Sequence, residues 1–217
     1  MTKQPLPLFR VRASGLFNIM TDPKKKGELL SEGAKTYLEK CAKQLFYDYD
    51  PEKGSKETEK GIVVEDDSIE LYNSVFFASH KKNSRRINAD FLTGECDIEA
   101  EEETIDVKSS WSLDTFPASS RAADKKEYEW QGRAYMHLYN KPRHRVAFCL
   151  VDTPDHLIRF EPEHLHIVSH MPPELRVTRV MYERDMELEE KMLERCKAAV
   201  EYVREELFRI EAEHKGI

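Results

Sequence analysis

Residues 92–110, with the sequence LTGECDIEAEEETIDVKSS, predict two short strands joined by an acidic turn. Side chains alternate between the two faces of a strand, so Asp106 and Lys108 share one face. If the chain turns at residues 100–103, Asp97 lies directly opposite Asp106 across the hairpin. The stretch therefore predicts a β-hairpin that gathers two carboxylates and one ammonium group on the same side of a sheet.

The predicted acid pair requires a compensating positive charge. Two carboxylates about 4 Å apart repel each other by roughly 4 kcal/mol at an effective dielectric constant near 20. Either one acid is protonated or a cation lies between them, and carboxylate oxygens favour Mg²⁺ or Mn²⁺. Lys108 could position an attacking water or stabilise the charge of a phosphoryl transition state. A second interpretation stays open, in which the hairpin is a solvated surface element with a Glu95–Lys108 ion pair.

The rest of the chain predicts helices around a sheet. The predicted helices cover residues 14–20, 31–47, 57–72, 124–140 and 185–213. The predicted strands cover residues 88–99, 104–109, 145–151 and 175–182, and RVAFCLV at 145–151 is an apolar run typical of a strand buried on both faces. We therefore expect an α/β fold with a mixed central β-sheet flanked by helices and a long C-terminal helix. One domain of residues 1–217 is expected, with a catalytic core at about 57–152.

Composition limits the possible function classes. The formal net charge is −7, which argues against strong non-specific DNA binding but not against a DNA-processing enzyme with acidic metal ligands. The four cysteines form no C-x-x-C pair, so neither a zinc site nor an iron–sulfur cluster is expected. No P-loop occurs, so ATP is not implied. Without a signal sequence or an apolar run long enough for a membrane span, we expect a cytoplasmic protein with no membrane partner.

Four short motifs follow one another on the predicted elements. They are GIVVE at residues 61–65, GECD at 94–97, DVK at 106–108 and YEWQ at 128–131, the last followed one helical turn later by Tyr135. Each motif alone is weak, but in this order they resemble the RecB-like and lambda-exonuclease-like (YqaJ-type) branches of the PD-(D/E)XK nucleases. The resemblance covers about residues 61–151 and implies a restriction-endonuclease-like core.

The resemblance implies a role for each motif residue. The implied metal ligands are Glu65, Asp97, Asp106 and the backbone carbonyl of Val107. Lys108 would act on the nucleophilic water, and Gln131 would support the catalytic site from its helix. The implied cofactor is Mg²⁺, with Mn²⁺ able to substitute for it.

The sequence departs from the family pattern before the first acid, where Cys96 stands in place of a proline. Asp90, on the same predicted strand, is an alternative first acid. It lies sixteen residues before Asp106, whereas Asp97 lies nine residues before it and follows the Gly-x-x-Asp pattern. Asp97 is therefore preferred.

Basic residues outside the motifs predict contacts with DNA. Arg12 and Ser14 resemble the place where lambda-type exonucleases hold a 5′-phosphate, and a helix N-terminus with Ser14 as its cap beside an arginine suits that anion. A plain helix cap is the alternative. The further residues expected to contact DNA are Lys81, Lys82, Arg85, Arg86, Arg121 and Tyr135.

The resemblance implies a double-strand DNA exonuclease of phage type, which would digest 5′→3′ if Arg12 and Ser14 hold the terminal phosphate. Such enzymes supply single strands for annealing-based recombination, often beside a single-strand annealing protein. They form ring-shaped trimers, so a homo-oligomer is expected. Two alternatives stay open: a structure-specific or restriction-type endonuclease, and a catalytically inactive relative that binds DNA.

Overall fold

Within residues 7–50 and 54–215, which the computed structural model describes, the strands form two mixed β-sheets. The strands are β1 (Val11–Arg12), β2 (Ile87–Asn88), β3 (Leu92–Gly94), β4 (Ile98–Glu99), β5 (Glu103–Ser109), β6 (Arg143–Cys149) and β7 (Val177–Glu183). The smaller sheet has the order β1-β3-β2, and the larger has the order β4-β5-β6-β7. In the larger sheet β5 and β6 are parallel and the outer strands are antiparallel. The predicted mixed sheet is confirmed.

Helices surround the two sheets, as the α/β prediction requires. They are α1 (Glu32–Tyr47), α2 (Lys56–Val63), α3 (Glu65–Phe76), α4 (Ser120–Ala123), α5 (Lys126–Tyr139), α6 (Asp155–Ile158) and the long C-terminal α7 (Met186–Lys215). The Ser31 hydroxyl accepts a hydrogen bond of 3.2 Å from the backbone N–H of Ala34 and so caps α1. Among the described helices, none is long and apolar enough to cross a membrane.

The larger sheet is covered on both faces. Helix α3 packs on the face that carries Val107 and Ala147. The opposite face presents Val146 and Phe148, and the Phe148 ring meets the ring of Tyr128 from α5 edge to face. Strand β6 is therefore buried on both faces, as its continuous apolar run predicts.

A second core joins the smaller sheet to the two longest helices. A 3-10 helix, Ala13–Ile19, follows β1 and packs against α5. Leu38 of α1, Leu92 of β3 and Met192 of α7 are fully buried in the same cluster. The apolar stripe of α7 is therefore core, which fixes this helix across the molecule.

The single helix predicted at residues 57–72 is wrong, because the chain bends at Val64 between α2 and α3. Lys60 of α2 is fully buried and donates to three backbone carbonyls at the ends of β5 and β6, which fixes the direction of α2. Glu65 begins α3, whose first turn carries only acids, and negative charge is favourable at a helix N-terminus. The bend therefore places Glu65 at the start of a helix instead of inside one.

The single strand predicted at residues 88–99 is also wrong. The backbone N–H of Ala89 donates to the carbonyl of Leu92, which makes a tight turn with Asp90 exposed in it. Because β3 pairs with β1, it belongs to the smaller sheet, and only β4 continues against β5. The predicted hairpin is therefore much shorter than the sequence suggests.

Ser14 is not a helix cap. Strand β1 extends through Arg12, which is paired with Thr93, so the following helix begins at Ala13 with Arg12 in the cap position. No side chain accepts a capping hydrogen bond there. Strand pairing thus moves the cap position of this helix two residues back, from Ser14 to Arg12.

Candidate active site

The two acids of the hairpin face each other. Ile98 of β4 pairs with Ile105 of β5, and the same register continued by one residue sets Asp97 opposite Asp106. Oδ2 of Asp97 accepts a hydrogen bond of 2.6 Å from the backbone N–H of Val107. Asp106 is 2% exposed. The predicted register is therefore confirmed, although β4 has only two residues.

Lys108 contributes the positive charge beside these acids. Its Nζ lies 2.5 Å from Oδ2 of Asp106. Burial lowers the pKa of Lys108, but the Asp106 carboxylate outweighs it, so the pKa of the ammonium group is raised. Glu95 is instead paired with Arg86, at 3.4 Å. The alternative of a Glu95–Lys108 ion pair is therefore wrong.

Burial and the neighbouring charges shift the pKa of Asp97. Burial, with the Asp106 carboxylate as the second cause, raises the pKa of Asp97 to about 8, although Lys108 acts in the opposite direction. Two carboxylates in one partly dehydrated site cannot both ionise without a compensating cation. A cation bound between the two acids would therefore favour ionisation of Asp97.

The acid pair fits a hard divalent cation, and the third predicted ligand, Glu65, is paired with a lysine. Oδ2 of Asp106 is buried, and its contact is the Lys108 ammonium group 2.5 Å away. Carboxylate oxygens of this kind are the ligands that Mg²⁺ prefers. Oε2 of Glu65 lies 2.6 Å from Nζ of Lys82. Across the described ranges, no three or more His, Cys, Asp or Glu side chains form a group that could hold a metal ion. Asp97 and Asp106 are thus together, and Glu65 is paired with Lys82 while its carboxylate still acts to raise the pKa of Asp97.

Helix α5 supports the second acid from behind. Nε2 of Gln131 donates to Oδ1 of Asp106 at 3.4 Å and to the Tyr135 hydroxyl at 3.0 Å. Tyr135 is 4% exposed, and burial raises the pKa of its hydroxyl. Tyr135 therefore lies inside the site, where it orients Gln131, and its side chain has little surface to offer to DNA.

Comparisons with solved structures find whole-chain similarity to exonucleases. A phage related exonuclease from Haemophilus somnus 129PT is 32% identical, with a TM-score of 0.89 over 94% of this chain and 98% of that chain. This chain belongs to the lambda-exonuclease-like family of the PD-(D/E)XK nucleases. No protein-family model and no curated protein matches the sequence.

A second exonuclease shares the fold of this family member at low sequence identity. An alkaline exonuclease (LHK-Exo) from Laribacter hongkongensis has a TM-score of 0.69 at 13% identity, over 95% of this chain and 94% of that chain. Its complex with dAMP has a TM-score of 0.67 at 14% identity, over the same shares of the two chains. These two likenesses establish the fold alone.

This lambda-exonuclease-like site also contains residues that none of the four motifs indicates. The backbone N–H of Asn83 donates to the carbonyl of Asp97 at 2.7 Å, and its Nδ2 donates to the carbonyl of Cys96 at 2.9 Å. The same Nδ2 donates to the Tyr139 hydroxyl at 3.0 Å. Asn83 and Tyr139 therefore hold the segment that carries Asp97. In the sequence, the position of Tyr139 one helical turn after Tyr135 is a signal for Tyr139, and no comparable signal indicates Asn83.

A buried histidine supports the helix that carries Gln131. Nδ1 of His144 lies 2.8 Å from the Thr104 hydroxyl, and burial lowers the pKa of His144 to about 4, so the ring is neutral. A Cβ atom on Gly132 would lie 2.2 Å from Cδ2 of this ring. Only glycine allows α5 to approach the sheet this closely, and sequence motifs gave no sign of it.

The expected DNA-binding residues lie on the surface around the site. Arg85 pairs with Glu99 at 2.7 Å and Arg86 with Glu95, whereas Lys81 is exposed and has no ion pair among the residues that the structure describes. These basic groups are therefore not a free positive patch, because two of them already have acidic partners.

Arg12 and Ser14 are both exposed. Ala13, between them, lies against β3, since a Cβ atom on Gly94 would be 3.0 Å from the Ala13 Cβ and 2.9 Å from the Tyr135 ring. The segment with Arg12 and Ser14 is therefore connected to the acid site through direct packing.

Proposed function

We propose that this chain is a Mg²⁺-dependent exonuclease that hydrolyses phosphodiester bonds of double-stranded DNA, starting from a 5′ end. The observation that carries the proposal is the pair of facing carboxylates Asp97 and Asp106, with Lys108 against the buried Oδ2 of Asp106. Membership of the lambda-exonuclease-like family supports the reaction type. We propose that residues 1–217 act as one nuclease domain.

The proposed metal ligands are the two paired acids, with the Val107 carbonyl and Glu65 joining them once Glu65 leaves Lys82. A bound Mg²⁺ or Mn²⁺ would polarise the scissile phosphate and lower the pKa of a bound water. The donor set supports this choice, because carboxylate and carbonyl oxygens suit hard cations.

The side chains of the site would orient and neutralise the reacting groups. The raised pKa of Lys108 keeps its ammonium charged at neutral pH, so it can donate a hydrogen bond to the attacking water or to the phosphate. Gln131 fixes one oxygen of Asp106, and Tyr135 fixes Gln131. The acid is therefore held in one rotamer, which lowers the cost of arranging the site for reaction.

The proposed 5′ polarity rests on Arg12 and Ser14. An exposed arginine and hydroxyl, packed against the site through Ala13, support binding of a terminal phosphate. Exposed Lys81, with Arg85 and Arg86 once they leave their acidic partners, would contact backbone phosphates further along the duplex. Such contacts strengthen binding without reading the sequence.

The test of the proposed function is digestion of linear duplex DNA labelled at the 5′ or the 3′ end, with Mg²⁺ or with EDTA. We expect Mg²⁺-dependent loss of linear DNA, early release of the 5′ label and survival of covalently closed circles. Lys108→Ala should be inactive. The control Lys35→Ala removes a lysine from a surface ion pair with Glu32 on α1 and should keep full activity.

Two results would replace the proposal by an alternative. Nicking of the circles would identify an endonuclease, because an exonuclease cannot start without an end. No cleavage with either Mg²⁺ or Mn²⁺ would leave an inactive DNA-binding protein. The recombination role, the single-strand annealing partner and the homotrimer stay predictions from the resemblance, and sedimentation of the purified protein tests the trimer.

A further inference from the structure

The ion pair between Lys82 and Glu65 occupies a predicted metal ligand. Nζ of Lys82 lies 2.6 Å from Oε2 of Glu65, and the hydrogen bond between them is the main cause that raises the pKa of Lys82. The carboxylates of Asp66 and Asp97 act on Lys82 in the same direction. Lys82 is therefore the counter-ion of Glu65, as Lys108 is the counter-ion of Asp106.

The backbone of Lys82 is anchored while its side chain is free to move. The next residue, Asn83, is hydrogen-bonded to the carbonyls of both Cys96 and Asp97. The Lys82 side chain is 51% exposed, and its four-carbon stem can place the charge in several positions. The ammonium group can thus leave Glu65 without any change in the segment that carries Asp97.

Glu65 cannot keep this lysine and also bind a divalent cation through the same oxygen. A bound cation would repel the ammonium group, and the substrate brings a new anionic partner in its backbone phosphates. We propose that Lys82 is an exchangeable counter-ion, which holds the Glu65 carboxylate while no metal is bound and moves to a DNA backbone phosphate when the metal takes Glu65. This inference rests on the proposed metal-dependent nuclease function.

The exchange predicts opposite effects of one substitution on two ligands. Lys82→Met removes the competitor, so Mg²⁺ binding measured by calorimetry without DNA should tighten by about two- to fivefold, the range set by an exposed ion pair. DNA binding, measured in Mg²⁺ on a Lys108→Ala background that does not cut, should weaken, and the slope of log K against log salt should fall by about one. A lysine that only supports the fold would not tighten Mg²⁺ binding.

Two further variants separate the ion pair from the general effect of charge. Lys81→Met removes the same charge from the neighbouring residue, which has no ion pair in the described part of the chain, and should leave the Mg²⁺ affinity unchanged. In a Glu65→Gln background the Lys82→Met change should no longer affect the Mg²⁺ affinity, because the two side chains act as a pair.

The outcomes separate this inference from the proposed function. If wild-type protein binds Mg²⁺ and Lys82→Met binds it equally or more weakly, the exchange is refuted while the nuclease proposal stands. If Lys81→Met tightens Mg²⁺ binding as much as Lys82→Met does, the general field and not the ion pair is responsible, and the exchange is again refuted. Wild-type protein that binds no Mg²⁺ would overturn the proposed function and the exchange together.

Discussion

Replacement of the ionisable Asp97 by asparagine is expected to stabilise the protein when no metal is added. Burial and the Asp106 carboxylate raise the pKa of Asp97 from 3.8 to about 8. A raised pKa in the folded state means that the favourable contribution is complete below about pH 4 and is lost as the pH rises through about 8. Asparagine has nearly the same shape and can still accept the Val107 N–H, but it never carries the charge that is unfavourable here.

The size of the effect follows from the span between the two pKa values. At pH 7 the ionisation of Asp97 favours the unfolded chain by about three pKa units. Each unit corresponds to about 1.36 kcal/mol in the free energy of unfolding. This sets an upper limit of about 4 kcal/mol. Asp97 is partly exposed, and its charge interacts with those of both Asp106 and Lys108. Solvent screening therefore reduces the loss of folding free energy that the pKa shift implies. We expect Asp97→Asn to be more stable than wild type by about 1–3 kcal/mol at pH 7.

Urea unfolding in EDTA at pH 5, 7 and 8 measures this difference. The stability gained by Asp97→Asn should grow from pH 5 to pH 8, and Mg²⁺ should stabilise wild type but not the variant. Asp90→Asn is the matched control, since Asp90 is an exposed acid in the turn between β2 and β3, and it should stay within about 0.5 kcal/mol of wild type. A variant that is less stable than wild type in EDTA, or a difference that does not grow with pH, would refute the reasoning.

Three other substitutions test the supports of the site. Lys60→Met leaves three buried carbonyls without their donor and should cost about 2–4 kcal/mol in urea unfolding; a loss below 1 kcal/mol would contradict this. Gly132→Ala forces a Cβ atom against the His144 ring and should cost about 1–3 kcal/mol of stability, together with a loss of DNA cleavage. In the control Gly61→Ala the new Cβ atom meets open space on α2, so this variant should be more stable by about 0.5–1 kcal/mol. Equal effects of the two substitutions would exclude the clash with His144. Tyr139→Phe removes a hydroxyl that accepts a hydrogen bond from Asn83. It should weaken Mg²⁺ binding while the melting temperature changes little. An unchanged Mg²⁺ affinity would show that Asp97 does not depend on this hydroxyl.

The sequence alone was enough for the features that depend on local periodicity. Alternation along residues 97–108 predicts the facing acids, and the apolar run in β6 predicts a strand buried on both faces. The 3.6-residue stripe of α7 predicts a long helix against the core. The resemblance carried by four ordered motifs predicts the family. Each of these features depends on residues that are close together in the chain, so a single sequence is enough to predict it.

Only the tertiary structure decided the features that join distant residues. Lys60 bends the chain between α2 and α3 through carbonyls at least fifty residues away, and no local pattern records those partners. The break between β3 and β4 arises because β3 pairs with β1, whose residues lie 81 positions earlier in the chain. The ion pair between Glu65 and Lys82 likewise joins residues that are seventeen positions apart, and no motif indicates it. Motifs identify the ionisable side chains, but three-dimensional packing decides which charges meet.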